Sequence, residues 1–493
     1  MMINYLSKQD IKIILHYLGY IMEGIGIILS IPIIVDLIYS EYNYPIGLIP
    51  CIVSFGLGFL FVFKFRKYDR LKFKHGMIIS SIAWLWAGFV AAIIMVLILD
   101  ISFLDAFFEN VSAWTGSGLT IFNDVESLPM SILFLRSLEQ WIGGLGVVII
   151  FISIVIKPGT SAYKLYRSEA REDKIKPNIK NTLKKTIEIY IIYTAIGILL
   201  YILAGLPIFD SVNLTFTTIS TGGMSIKNAN IGYYNNNIIY LITIFLMILG
   251  ATSFTVHYKM IKTKGNAILK DIQFQFMIIA IIISGIFIAL LTHIAPMNVI
   301  FHIVSAITTT GANIASPTEL ASWAPTALIL IIVLMVMGGS SGSTVGAVKI
   351  IRIITFLKSI HLTVTNLISP EGRVVKTKIA GKSINEREMK ESTLYISVYL
   401  MFLIISWIIM TYYTNNPINA LFDVTSTIGN VGLSTGIING SLDTVPKILL
   451  IFLMWIGRLE IIPVLLAIKL GVETFEQKLE LVKILLKNKI KKA

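Results

Sequence analysis

The sequence is poor in charge and in cysteine. Only 14% of its 493 residues are Asp, Glu, Lys or Arg, whereas 55% are hydrophobic. A soluble chain needs roughly 25% charged residues to cover its surface, so a set of soluble domains is excluded. The single cysteine, Cys51, rules out an intrachain disulfide. Paired carboxylates, a Cys/His cluster and a catalytic triad are also lacking, so we predict neither an enzyme nor a cofactor in this chain.

Long apolar runs are what the sequence does contain. Runs near 20 residues recur along the whole chain, and this length matches a helix that crosses a bilayer. The runs are continuous rather than alternating, which favours helices over a β-barrel. The first run is too long for the apolar core of a signal peptide, so we expect it to be retained. We predict an all-α integral membrane protein with ten spans, at about 11–35, 45–63, 76–99, 132–156, 187–205, 238–258, 274–292, 326–356, 393–413 and 446–470.

Basic residues are concentrated on one side of these spans. Of the 41 Lys and Arg residues, 37 fall in six segments: 8–12, 64–74, 157–185, 259–270, 349–390 and 469–492. The segments between the other span ends carry acidic residues instead. This asymmetry predicts a cell-membrane protein with both termini in the cytoplasm. The net charge of +13 is therefore assigned to a cytoplasmic face in contact with anionic lipid, and not to nucleic-acid binding.

Spans three to ten form four pairs, and each pair encloses a similar short segment. Each segment opens with an amphipathic stretch too short to span the bilayer and then turns into Thr, Ser and Gly, which leave a helix easily. Non-helical backbone inside a membrane is tolerated where protein buries it or where it lines a wet cavity. We therefore predict four helix–pore-loop–helix repeats in a pseudo-fourfold arrangement, preceded by two helices. The four segments are FLDAFFENVSAWTGSGLT (103–120), FDSVNLTFTTISTGGMS (209–225), NVIFHIVSAITTTGAN (298–313) and NALFDVTSTIGNVGLS (419–434).

The repeats set the expected domain boundaries. Two N-terminal helices occupy 1–70, the first repeat 71–160, a basic linker and the second repeat 161–262, the third repeat 263–360, a cytoplasmic linker and the fourth repeat 361–471, and a basic amphipathic tail 472–493.

The Thr/Ser/Gly segments have the chemistry of an ion filter. Rings of backbone carbonyls replace the water that a cation sheds, and glycine permits the positive φ angles that help aim carbonyls inward. The short helices would point their partially negative ends at the axis, and outer acidic residues would concentrate cations. We predict a potassium ion held by Thr115, Gly116, Ser117, Gly118, Ser220, Thr221, Gly222, Thr309, Thr310, Gly311, Asn430, Val431 and Gly432.

A glycine- and serine-rich run, GGSSGSTVG at 338–346, interrupts the eighth span. It lacks the Lys-Ser/Thr ending of a phosphate-binding loop. A flexible kink and a constriction gate beneath the filter both remain possible, and we favour the gate. Arg458 is the only basic residue deep in the last span, where a charge is costly and points to function; a structural pair with Glu460 is the alternative. The predicted gate residues are Gly338, Gly339, Gly342, Ser343, Gly346, Lys349 and Arg458. Arg136 and Glu139 are expected to pair at (i, i+3).

Four motifs resemble the Trk/Ktr/HKT superfamily of potassium transporters, and within it the TrkH-type membrane subunit. They are SLEQWIGGLGVVII (137–150), ITTTGAN (307–313), GGSSGSTVGAVKIIRI (338–353) and WIGRLEIIPVLL (455–466), and the resemblance covers nearly the whole chain. It implies that Gly118, Gly222, Gly311 and Gly432 are the four filter glycines. It also implies a homodimer on a cytoplasmic, nucleotide-binding, TrkA-like regulatory subunit.

The sequence departs from the family pattern in two places. The fourth filter has Asn430 and Val431 in place of a Thr-Gly pair, and the interrupted span has Val345 and Ala347 in place of two glycines. We predict potassium uptake through a four-loop filter. The alternatives are a symporter of the same fold coupled to sodium or protons, and a solute carrier that binds its substrate at the membrane midplane, which would require inverted repeats.

Overall fold

The computed structural model describes residues 6–67, 71–146, 179–262, 265–370, 378–379, 381–459, 461 and 463–473. Helices make up most of this part. They are α1 (Lys8–Ser30), α2 (Ile33–Ile38), α3 (Leu48–Phe65), α4 (Phe73–Leu99), α5 (Phe103–Thr115), α6 (Met130–Leu145), α7 (Ile179–Leu203), α8 (Ile208–Ile219), α9 (Asn237–Ala251), α10 (Phe254–Lys262), α11 (Asn266–Leu269), α12 (Ile272–Leu291), α13 (Pro296–Ile307), α14 (Pro317–Ala321), α15 (Pro325–Met337), α16 (Ile350–Ile368), α17 (Glu386–Thr414), α18 (Pro417–Ile428), α19 (Thr444–Leu459) and α20 (Pro463–Glu473). Tyr44–Gly47 and Asn230–Tyr234 are short 3₁₀ helices, and β1 (Lys378–Ile379) pairs antiparallel with β2 (Lys382–Ser383).

Within the described residues, seven helical segments are long and apolar enough to cross a membrane, and two bent helix pairs raise the number to nine. One of these pairs, α9 with α10, bends by 101°. Eight of these match predicted spans, and the ninth, Ile350–Ile368, overlaps only the end of the predicted eighth span at 326–356. The predicted fourth span runs from α6 into residues outside the described part. The eighth span is split: α15 ends at Met337 and α16 begins at Ile350. The all-helical architecture is confirmed, and the total of ten spans stays a prediction.

Four short helices, α5, α8, α13 and α18, are the predicted half-helices, and we call them the pore helices. Each is 12 or 13 residues long, well short of the roughly 20 needed to cross a bilayer. Local sequence explains where they begin. Ser102 caps α5 by accepting from the Asp105 N–H, and α13 and α18 begin with proline, whose missing N–H costs nothing at a helix start.

The helix after each pore helix, namely α6, α9, α15 and α19, is called its inner helix. Each inner helix packs against its own pore helix and also against the pore helix of the next repeat. The pattern is cyclic: α6 packs on α8, α9 on α13, α15 on α18, and α19 returns to α5. Four units with the same sense therefore close one ring, as the repeat pattern predicted.

The two N-terminal helices pack along each other outside this ring. A side chain at Gly19 or Gly58 would lie under 3.0 Å from the opposing backbone, so α1 and α3 approach closely there. The loop that follows α2 reaches the first repeat. The Glu41 carboxylate accepts from the N–H groups of Met130 and Ser131 at 2.6 and 3.1 Å. A carboxylate at this point satisfies free donors at the start of α6 and complements the helix dipole.

Candidate ion filter and gate

All four pore helices end in the same backbone pattern. The first residue of the pattern has a left-handed conformation, the middle residue does not, and the third is a glycine with a left-handed conformation. The N–H of each middle residue donates to the carbonyl five residues back, at 2.8–2.9 Å. We call the four three-residue segments the filter segments: Gly116–Gly118, Thr221–Gly223, Thr309–Gly311 and Asn430–Gly432.

This pattern shifts the second repeat by one residue relative to the filter glycines that the family resemblance implies. The resemblance put Gly222 at the position equivalent to Gly118 and Gly311. In the structure Gly223 has the positive φ, of 70°, and Gly222 is the middle residue that donates to Thr217. Two adjacent glycines leave the register open in sequence, and the hydrogen bond decides it. Two predicted filter residues, Thr115 and Ser220, therefore lie at the ends of their pore helices and outside the filter segments.

The four filter glycines meet around one axis. A Cβ atom at Gly432 would lie 2.6 Å from the carbonyl oxygen of Ser117. The other three glycines repeat this contact with the middle residue of the next segment, and in each case a Cβ atom would lie under 3.0 Å from the oxygen: Gly118 faces the carbonyl oxygen of Gly222, Gly223 that of Thr310, and Gly311 that of Val431. The contacts run in chain order and close on themselves. Four glycines and four carbonyl groups therefore form a continuous ring with no room for side chains.

Buried carboxylates hold the backbone beyond two of the filter segments. Glu109 accepts from the Ile121 N–H at 3.1 Å and from the Thr120 hydroxyl. Asp423 does the same in the fourth repeat, accepting from the Thr435 N–H at 2.8 Å. Each acid lies eight residues before the middle residue of its filter segment. This spacing was visible in sequence, but it occurs in only two of the four repeats.

Arg136 binds Glu109 and not Glu139, which corrects the expected helical pair. Its Nε lies 2.8 Å from a Glu109 oxygen, and its Nη1 donates to the Ser225 carbonyl at 3.0 Å. Both charged side chains are buried. Arg136 thereby links the first repeat to the second. Neither carboxylate oxygen of Glu139 forms a hydrogen bond within the described part of the chain.

Two amide side chains brace neighbouring filter segments. Gln140 donates to the Gly222 carbonyl at 2.7 Å and accepts from the Met224 N–H at 3.0 Å. Asn430 donates to the Ser117 hydroxyl at 2.7 Å, which joins the fourth segment to the first. Gln140 lies in the SLEQW motif, so its position in the sequence was noted, but its contact across repeats was not predicted.

The glycine- and serine-rich loop, residues 338–349, lies directly against the filter segments. The Thr344 hydroxyl is 3.0 Å from the hydroxyl of Thr221, and the Gly346 N–H donates to the Thr309 hydroxyl at 3.1 Å. Further along, the Ser340 N–H donates to the Ala251 carbonyl at the end of α9. The loop is therefore packed below the second and third repeats, with Gly338, Gly339, Gly342 and Ser343 in its first half and Lys349 at its end, where α16 begins.

Arg458 connects this loop to α6 by hydrogen bonds. Its Nη1 donates to the Thr344 carbonyl at 2.7 Å, and its Nη2 donates to the carbonyls of Gly143 and Gly144 at 2.5 and 3.1 Å. The last two belong to the end of α6, so one guanidinium connects three repeats. Glu460, the alternative partner considered above, lies outside the described residues.

A cavity of about 540 Å³ opens on the other side of the ring, and we call it the vestibule. Its wall includes the filter glycines Gly118 and Gly432, several asparagines and the cations Lys227 and Arg136. No Asp or Glu lines it in the described part of the chain. The acids that were expected to concentrate cations are therefore not part of this wall. One is Asp124, which accepts from the Asn228 amide at 2.8 Å; this hydrogen bond lowers the pKa of the carboxyl and keeps it ionised.

We expect Glu109→Gln to lower the thermal stability of the purified protein. The substitution leaves Arg136 as a buried charge without its counter-ion, and breaking a buried pair in this way costs about 3–5 kcal/mol. Thermal unfolding in detergent measures the change. The exposed pair Lys185–Glu188 is the control, because Glu188→Gln removes an ion pair worth about 0–1 kcal/mol. Equal unfolding midpoints for the two variants would contradict a structural role for the Glu109–Arg136 pair.

Comparison with known proteins gives a consistent result. The family model for TrkH, described as a cation transport protein, matches residues 48–292 and 268–477. An uncharacterized cation transporter from Methanocaldococcus jannaschii is 39% identical over 461 residues, which cover 93% of this chain and 96% of that protein. The Trk system potassium uptake protein TrkG from Escherichia coli is 27% identical over 484 residues, covering 94% and 98%. The crystal structure of the potassium transporter TrkH from Vibrio parahaemolyticus superposes with a TM-score of 0.82 at 25% identity, covering 92% and 98%. The chain therefore belongs to the TrkH family of cation transport proteins, as the motifs in its sequence predicted.

Proposed function

We propose that this protein takes up potassium across the cell membrane through the ring of filter segments, as the membrane subunit of a Trk-type system. The observation that carries the proposal is the closed ring of glycines and carbonyl groups. Carbonyl groups from all four repeats meet in this ring, and a cation that sheds water needs such oxygen atoms around it. Relatives named as potassium uptake proteins support potassium as the ion.

The electrostatics of the ring suit a cation. All four pore helices end at the ring, so four partially negative C-termini converge there. The filter segments themselves contain no charged residue. Binding by dipoles without a full negative charge is strong enough to admit an ion and weak enough to release it. With one ring glycine per repeat, and Val431 in place of a hydroxyl residue, we expect modest discrimination against sodium.

The loop 338–349 is the proposed gate. It lies against Thr221 and Thr309 on the side of the ring away from the vestibule, so an ion that leaves the filter must pass it. The basic segments lie on the gate side in the predicted topology. This arrangement would put the gate and both termini in the cytoplasm and open the vestibule to the outside.

Potassium flux into proteoliposomes tests the function. We expect uptake of potassium or its analogue rubidium that needs no gradient of another ion. If uptake requires an imposed proton or sodium gradient, the protein is a coupled symporter of the same fold. Absence of potassium flux under every gradient would overturn the proposal.

A regulatory partner and a second copy of the chain complete the proposed assembly. Three basic segments, at 64–74, 157–185 and 259–270, provide a docking face for a cytoplasmic nucleotide-binding subunit of the TrkA type; parts of all three lie outside the described residues. The nucleotide would bind that partner and not this chain.

Charge reversal tests this docking face. We expect two Lys→Glu changes at Lys259 and Lys270 to weaken co-purification with the regulatory subunit at least several-fold, because each replaces attraction by repulsion. Two Lys→Glu changes in the basic tail beyond residue 473 are the control, because they alter the net charge by the same amount. Binding that is indifferent to changes in all three segments would place the docking face elsewhere.

A further inference from the structure

We propose that Lys227 gives the vestibule selectivity for valence: its ammonium group repels divalent cations from the mouth of the filter and spares monovalent ones. This inference rests on the proposed function, because it concerns which ions reach the ring. It starts from the composition of the wall, which contains Lys227 together with the filter glycines Gly118 and Gly432, while no Asp or Glu lines the cavity in the described part of the chain.

The position of the ammonium group is defined by two contacts. It lies 4.5 Å from the centre of the Tyr233 ring and 3.7 Å from a carboxylate oxygen of Glu126. The Lys227 side chain is 23% exposed. A cation held over an aromatic ring and partly desolvated has a restricted set of positions. Lys227 is therefore a fixed charge in the wall and not a side chain that swings freely in solvent.

Other charges near the vestibule do not cancel the electric field of the Lys227 ammonium group. Arg136 also lines the wall, and its charge is balanced by Glu109, which is buried behind it. Glu126 and Asp124 are outside the set of lining residues, and both accept hydrogen bonds from Asn228, which lines the cavity. Lys227 therefore borders the space that an entering ion occupies, whereas the carboxylate that partners it does not. The nearer charge dominates, so the wall presents a net positive potential to an entering ion.

Valence decides how strongly an ion responds to that potential. Coulomb energy is proportional to the product of the charges, so removal of one positive charge about 6 Å away in water favours a divalent ion about tenfold and a monovalent ion about threefold. A divalent ion that reached a carbonyl ring would bind it tightly and block it. A single lysine at the entrance therefore protects the conducting path from divalent block at a small cost in potassium occupancy.

Block of potassium current by barium or magnesium tests the proposal. Purified full-length protein is placed in a planar bilayer, and each divalent ion is added to one side at a time, at about 10 mM salt, where the Debye length is about 30 Å. We expect Lys227→Gln to lower the concentration for half-block about tenfold on one side only. Lys227→Arg keeps the charge and should behave as wild type.

A second pair of variants separates repulsion by Lys227 from attraction by its freed partner. Glu126→Gln alone and Glu126→Gln with Lys227→Gln are compared. The double variant should still be blocked at a severalfold lower divalent concentration than Glu126→Gln alone. The proposal is overturned if these two variants are blocked equally, if Lys227→Gln has no effect on block, or if Lys227→Arg is sensitised as strongly as Lys227→Gln. Each of these outcomes is measured on a potassium current, so failure of the inference is distinct from failure of the proposed function.

Discussion

Replacing Gly311 with alanine should abolish potassium flux while leaving the protein folded and inserted. Gly311 has a φ of 76°, a left-handed conformation that costs a residue with a side chain about 1–2 kcal/mol. The larger effect is steric. The new methyl group would lie under 3.0 Å from the carbonyl oxygen of Val431 and from the backbone of Gly432. Neither of these is the end of a flexible side chain, so the ring itself must distort. Gly118→Ala is expected to act in the same way.

The two adjacent glycines of the second repeat, Gly222 and Gly223, should differ in their response to substitution by alanine. Gly223→Ala should also abolish flux, because it combines a positive φ with a contact to the Thr310 carbonyl. Gly222→Ala should retain more flux than Gly223→Ala, because its methyl group meets the end of the Gln140 side chain, whose displacement breaks two hydrogen bonds but leaves the ring backbone in place. Gly56→Ala is the matched control, since a Cβ there has no neighbour within 4 Å.

Proteoliposome uptake measures the flux, and gel filtration in detergent checks that each variant is folded. Uptake by Gly311→Ala at the wild-type rate, with sodium excluded as before, would refute the assignment of the ring as the filter. Greater damage from Gly222→Ala than from Gly223→Ala would refute the register that the structure assigns to the second repeat.

The features that could be predicted from sequence are those that repeat. Four amphipathic stretches end in Thr, Ser and Gly, and each lies between two apolar runs. These stretches were enough to predict the pore helices, because each is too short to cross a bilayer whereas the apolar runs are long enough. Most residues of the four segments that share the left-handed backbone pattern were named for the same reason, and their role as an ion filter stays a prediction. The interruption at Gly338 was also visible, because no apolar helix of spanning length contains such a run of glycine and serine.

The features that could not be predicted are contacts that depend on how separate elements pack together. Arg136 and Glu139 are neighbours on one helix, and a local rule paired them. In the structure the pore helix of the same repeat brings Glu109 to Arg136, and this contact joins residues 27 positions apart. The assignment of Gly222 failed for a related reason, because the register of two adjacent glycines depends on which N–H reaches back to the pore helix. Such contacts depend on how helices are inserted, and no periodicity in the sequence encodes that.

Arg458→Ala should raise the basal potassium conductance without changing the preference for potassium over sodium. The guanidinium donates to the carbonyls of Thr344, Gly143 and Gly144, and it thereby ties the loop to the end of α6. A hydrogen bond from a charged group contributes about 1.5–3 kcal/mol. Moving a two-state equilibrium from 1:99 to 99:1 takes about 5.5 kcal/mol, so loss of two such bonds can move the loop from mostly closed to mostly open.

The filter segments are braced by hydrogen bonds other than those of Arg458, which is why selectivity should persist. Arg458 contacts the loop and the end of α6, whereas the ring is held by Gln140, Asn430 and the pore helices. Single-channel recording measures both quantities: open probability gives the state of the gate, and the reversal potential in mixed potassium and sodium gives the selectivity. We expect open probability to rise on the order of tenfold or more, with an unchanged reversal potential.

Two further variants test whether the loop itself controls the conductance. Arg387→Ala removes an arginine that forms an exposed helical pair with Glu391, so it should leave conductance as in wild type. Shortening 338–347 to a few residues removes the obstruction itself and should also raise basal conductance, with Lys349 brought away from the pathway. Arg458→Ala and the shortened loop change different atoms. If the loop is a gate, both variants should raise the basal conductance. If the shortened protein and Arg458→Ala are each no leakier than wild type, the loop is only a kink between α15 and α16, and Arg458 stabilises the fold without controlling the ion.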